Sequence, residues 1–132
     1  MSQENVEIVR QVYEEWGQGK LRAGRDLYDP KMLFIPGAGW PEAGDYRGPE
    51  GVREFMLGWL NAWTSLTVSA EEFTEAGDSV VVDVLQRGVG TESGAPTEGR
   101  YFQVWTFRGP KVVRLETFLD RAEALKAVGL SE

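Results

Sequence analysis

Four side chains in this sequence have a type and a position that could act on a small molecule: Gln103, Gln86, Tyr13 and Asp120. In the strand-like run 100–107, strict alternation puts Tyr101, Gln103, Trp105 and Phe107 on one face, which is expected to look into the fold. A glutamine amide there can donate and accept hydrogen bonds and so polarise a carbonyl, but it cannot move a proton. Two readings of Gln103 stand side by side, an anchor for a ligand and a buried amide satisfied by the protein. Gln86 shares the inward parity of Val80, Val82 and Val84, yet it sits near a strand end, where a polar side chain in water is the preferred reading. A carboxylate such as Asp120 can serve as a general acid or base. Its place in Asp120-Arg-Ala-Glu123, a capping-box pattern, favours a structural role.

The elements that must hold these groups follow from periodicity. Val6, Val9, Val12, Tyr13 and Trp16 recur at helical spacing, with Ser2 as cap and Gly17 as stop, which predicts a helix over 3–16. A short helix is expected over 21–28, ended by Asp29-Pro30, then a short strand over 32–35. The glycine- and proline-rich run 36–48 is a long loop whose Trp40 and Tyr46 could form a lid or plug one end of the fold. Val52, Phe55, Met56, Trp59 and Trp63 form a stripe that predicts a helix over 49–63, more as core than as a stacking surface for a cofactor. Strands are expected over 66–74, 79–88, 100–107 and 112–119, with turns at Ala76-Gly-Asp78, around 91–97 and at 108–111, and a last helix over 120–128. Helices first and an antiparallel meander afterwards argue for an α+β class and one domain over 1–132.

Composition narrows the chemistry. The chain has no cysteine and no histidine, so disulfides, thiolate nucleophiles, Ser-His-Asp triads and zinc sites built on those residues are excluded. Hard-cation sites would need several converging carboxylates, and no metal or other cofactor is expected. A formal net charge of -7 opposes binding to phosphate backbones and anionic membranes. Neither a basic-then-apolar leader nor a run of about 18 apolar residues occurs, so a cytoplasmic location is the expectation.

The order of elements, with LYDPKMLFIPG (27–37), RGPEGVREFMLGW (47–59) and VWTFRGPKVVRLETFLDRAEAL (104–125), resembles the SnoaL-like branch of the nuclear transport factor 2-like superfamily. The resemblance implies a cone-shaped α+β roll, a strongly curved, mostly antiparallel sheet wrapped around helices and enclosing a pocket, often in a homodimer. It also implies relatives that include ketosteroid isomerases, epoxide hydrolases, polyketide cyclases and dehydratases. Carried over residue by residue, the isomerases' basic aspartate falls at Ile35-Pro36 and is missing. Their oxyanion-binding tyrosine falls near Val12, with Tyr13 one position away and so turned by about 100°. Their protonated aspartate falls at Gln103. The Asp-Arg-Asp set of the epoxide hydrolases has no clear counterpart, although Asp83, Arg87 and Glu116 lie in the sheet, facing outward by parity.

The expectation drawn from both lines is a binder of a small, apolar, mostly uncharged molecule. Its pocket would be lined by Gln103, Trp105, Phe107, Tyr101, Leu115, Thr117, Trp59, Trp63, Gln86 and Trp40. Two alternatives remain: a metal-independent cyclase, isomerase or dehydratase using Gln103, Tyr13 or Asp120, and an interaction module working through the outer sheet face. Val81, Leu85, Phe102 and Val104 on that face would form an apolar patch, from which a two-fold dimer is expected.

Overall fold

A computed structural model gives the fold and describes residues 2–20, 23–36 and 45–130. In chain order the elements are α1 (Ser2–Gly17), a 3-10 turn (Arg25–Leu27), β1 (Tyr28–Ile35), β2 (Tyr46–Arg47), α2 (Gly48–Asn61), β3 (Trp63–Ala76), β4 (Ser79–Gly90), β5 (Pro96–Arg108), β6 (Lys111–Phe118) and α3 (Arg121–Ala127). The strands form one sheet in the order β2-β1-β6-β5-β4-β3. Neighbours are antiparallel except β1 and β6, which run parallel. The class is therefore α+β with a mixed, mostly antiparallel sheet. No helix among the described residues is long and apolar enough to cross a membrane.

The central meander follows the alternation in the sequence, and its strands run longer than that pattern alone suggests. Three local expectations need correction. Residues 23–28 hold a single 3-10 turn instead of a helix, and Tyr28, Asp29 and Pro30 already belong to β1. The cause is local: proline disfavours helical backbone at the residue before it, so Asp29 is pushed toward extended geometry and the strand starts early. The second helix ends at Asn61, and Trp63 opens β3 even though it continues the helical stripe of Trp59. Gly88 on β4 makes this possible, because the Trp63 ring lies where a side chain would stand: a Cβ at Gly88 would be 2.6 Å from Trp63 Cε3. Finally, Ser2 is the first residue of α1 and not its cap.

One face of the sheet carries the main core. Val80, Val82, Val84, Trp105, Phe107 and Leu115 are buried there beneath Val9, Val12 and Tyr13 of α1 and Val52 and Phe55 of α2. The other face is covered in part by α3, which packs Ala124 and Leu125 on Val81 and Val104. The patch that motivated a sheet-face dimer is thus not exposed: Val81, Leu85 and Val104 are buried, and Phe102 is half-buried against α3. The helix responsible is capped as the sequence suggests, with the Asp120 carboxylate accepting from the Ala122 N–H at 2.9 Å.

Candidate functional site

A cavity of about 460 Å³ lies between the inner sheet face, α2 and the segment after α1. The sheet supplies Phe34 of β1, Leu66 and Val68 of β3, Tyr101 and Gln103 of β5, and Leu115 and Thr117 of β6. Their presence follows from register, since Gln103 pairs with Thr117 across β5 and β6, and Phe34 with Leu115 across β1 and β6. The α2 stripe adds Val52, Phe55, Met56 and Trp59, and Trp16 closes the far side from α1. The Trp16 indole N–H donates to Ala23 O at 3.1 Å and ties the chain after α1 to this wall. Charged lining is limited to Arg25 and Arg53, and no Asp or Glu lines the cavity among the described residues. Arg25 is paired with Glu50 at 3.6 Å, both largely exposed.

The polar end of the cavity is organised by hydrogen bonds that reach into the core. Trp105, fully buried, donates from Nε1 to the Tyr13 hydroxyl at 2.9 Å. Tyr13 in turn donates to Gln103 Oε1, and Gln103 Nε2 donates to Thr117 Oγ1 at 3.4 Å. Tyr101 makes a separate bond, donating to Gln86 Oε1 at 3.0 Å. Removal from water is the main cause that pushes the hydroxyls of Tyr13, Tyr28 and Tyr101 above the ordinary tyrosine range. For Tyr13 the bond from Trp105 works against that rise without cancelling it. All three phenols are neutral donors at physiological pH.

Of the residues singled out from sequence, Gln103, Tyr101, Leu115, Thr117 and Trp59 line the cavity. Trp105 and Phe107 do not, although they share Gln103's strand face. They lie deeper in the core, Trp105 with its ring 5.8 Å from Tyr13 and 5.9 Å from Trp16, so that α1 fills the space above them. Trp63 is also off the cavity, edge-on to Trp59 at 5.3 Å. Gln86 is buried rather than in water and serves as acceptor for Tyr101. Tyr46 sits in β2 with its ring against Phe34 and Phe55, and Trp40 lies outside the described residues. Asp120 caps α3 on the other side of the sheet and does not line the cavity.

Tyr13 does not line the cavity either, yet its hydroxyl meets Gln103 despite the one-position offset. On the outer face Asp83 lies 3.5 Å from Arg100, Arg87 pairs with Glu98 at 2.8 Å, and Glu116 pairs with Arg114 at 2.9 Å. Sequence reasoning missed Tyr28, Phe34, Leu66 and Val68 as lining residues. The inward parity of Leu66, Val68 and Ala70 was available as a signal; Tyr28 was hidden by the helical reading of its segment.

Comparison with known proteins agrees with this architecture. The sequence profile of the SnoaL-like domain matches residues 9–115. An NTF2-like protein of unknown function from Burkholderia pseudomallei is similar at 22% identity and a TM-score of 0.79, covering 95% of this chain and 97% of its own. An NTF2-like protein from Burkholderia thailandensis is 27% identical with a TM-score of 0.79, covering 86% and 88%. A candidate SnoaL-like polyketide cyclase from a Jannaschia species is 22% identical with a TM-score of 0.77, covering 99% and 95%. Among curated proteins none matches the sequence.

Proposed function

Given that the chain belongs to the SnoaL-like family, we propose that it binds one small, apolar, mostly uncharged organic molecule inside a roll-shaped pocket, without turning it over. The observation that carries this reading is the makeup of the cavity. About 460 Å³ is enclosed chiefly by aromatic and aliphatic side chains, with Gln103, Thr117 and Tyr101 as polar groups of the inner wall. Largely apolar cavities of this size with a few placed polar groups are the usual form of small-molecule sites. Binding without turnover is preferred because no carboxylate among the described lining residues could take or give a proton, and the phenols are neutral. The polyketide cyclase description of one relative supports the second reading, a metal-independent cyclase, isomerase or dehydratase acting on a hydrophobic molecule.

Diphenylmethane tests the binding function directly, because it has no polar group and fits the cavity. At a concentration of about 100 times its Kd it should stabilise the fold by about 2.7 kcal/mol, seen as a raised melting temperature. Val68→Trp, which puts a large ring into the cavity from β3, should fold and lose that response. A parent protein whose melting temperature ignores diphenylmethane at its solubility limit would refute the proposed pocket.

A further inference from the structure

We infer that the polar end of the cavity is a donor-only site that selects molecules bearing a carbonyl-type acceptor, and that Trp105 and Tyr13 are the positioning residues that set this polarity. The inference rests on the small-molecule reading above and adds the class of ligand. An indole N–H can donate and cannot accept. Trp105, with no exposed surface, therefore fixes the sense of the chain it begins, and its N–H occupies the Tyr13 oxygen at 2.9 Å. The tyrosine's own hydrogen must go elsewhere, and it goes to Gln103 Oε1.

That bond orients the amide. With Oε1 held by Tyr13, Nε2 is the end that meets Thr117 Oγ1 at 3.4 Å. Turning the amide over would set an N–H against an oxygen that already accepts and would leave the buried phenol hydrogen without an acceptor, a costly arrangement. Burial keeps the phenol protonated, so the donor is always present. Two hydrogens remain at the cavity end of the chain: the second N–H of Gln103 and the O–H of Thr117, whose oxygen already accepts. Neither has a protein acceptor among the described residues, and both residues line the cavity. A ligand oxygen with no hydrogen of its own, such as that of a ketone or quinone, satisfies both. A hydroxyl or amine brings a hydrogen for which this end has no acceptor, and a site built this way rejects the mismatched group because buried partners go unpaired.

Benzophenone, benzhydrol and diphenylmethane share one skeleton and differ at the carbon that carries ketone, hydroxyl or hydrogen. Isothermal titration of the parent protein should rank benzophenone roughly tenfold tighter than diphenylmethane, about 1.4 kcal/mol, with benzhydrol closer to diphenylmethane. The infrared carbonyl stretch of bound benzophenone should lie below its position in hexane. In Tyr13→Phe the amide is free to turn, so benzophenone loses most of its advantage, benzhydrol gains, and the stretch moves back toward the hexane value. A loosened core alone would weaken all three probes together and leave the ranking as it was.

If diphenylmethane binds and benzophenone binds no tighter, or its stretch is unshifted, the donor site is wrong while the apolar pocket stands. If none of the three binds, both readings fall. A folded Tyr13→Phe that keeps the parent ranking removes Tyr13 from its positioning role. Should that variant not fold, the parent's ranking and stretch decide the donor site, and Trp105→Phe takes its place in testing the chain.

Discussion

Three phenols set the alkaline limit of this fold. Tyr13, Tyr28 and Tyr101 are all buried, and burial raises each above the ordinary value. In the unfolded chain the same hydroxyls ionise near pH 10, so above that pH the unfolded state releases protons that the folded state keeps. The unfolded state then binds fewer protons, and unfolding free energy falls as pH rises. Stability from these groups is complete below about pH 10 and declines beyond it at up to about 1.4 kcal/mol per pH unit for each tyrosine. Urea midpoints should therefore hold level from pH 7 to 9 and drop at pH 11. Tyr28→Phe should lessen the drop by roughly one of three equal shares, because Tyr28 stands outside the Trp105–Tyr13–Gln103 chain. A midpoint unchanged to pH 11 in the parent would contradict the buried, neutral state of the hydroxyls.

Between elements, the decisive contact is a close approach that a sequence does not advertise. Trp63 reaches β4 over Gly88, where an added Cβ would lie 2.6 Å from the ring and 2.8 Å from the Ser65 carbonyl oxygen. The backbone oxygen is part of the β3–β4 ladder and cannot step aside as a side-chain tip could. Gly88→Ala should cost about 1–3 kcal/mol by overpacking, read as a lower urea midpoint, whereas Gly99→Ala, in open space on β5, should change little. The same contact explains what the sequence displayed and what it concealed. Alternation exposed β4, β5 and β6 because each has one apolar face, and it put Gln103, Leu115 and Thr117 on the cavity side together. It could not show that Trp63 leaves the helical stripe for a strand, since i+4 spacing is the same pattern until a glycine elsewhere in the chain opens room for the ring. Nor could it separate Trp105 from Gln103: both point inward, and how deep each lies depends on where α1 crosses the sheet.

For the molecule as a whole, the two faces of the sheet are treated differently, and a seven-residue helix is what keeps the outer one closed. Long-range placement of this kind was beyond the sequence pattern, as was the parallel joining of β1 to β6, because neither leaves a local periodic trace. Apolar residues at Val81 and Val104 read equally well as a dimer surface or as a seat for α3, and the structure seats the helix there. Around that seat the outer face is polar, with Arg87–Glu98, Arg114–Glu116 and Arg100–Glu71 pairs at 2.8, 2.9 and 3.2 Å. Exposed pairs of this sort add little stability, so their contribution is to keep the surface hydrated. Lifting α3 should then uncover an apolar patch in an otherwise charged field. Leu125→Asp places a charge in the buried side of the helix, where Leu125 is 3% exposed. It should release α3 while the inner core, which contains no α3 residue, stays folded. The expected signature is concentration-dependent growth in light-scattering mass and stronger binding of a hydrophobic dye, with far-UV circular dichroism close to the parent's. Exposed Leu119→Asp, at 61% exposure, is the control and should do neither. If Leu125→Asp scatters like the parent at every concentration while α3 is shown by hydrogen exchange to be open, the patch beneath it is too small to drive association, and α3 does not act as its cover.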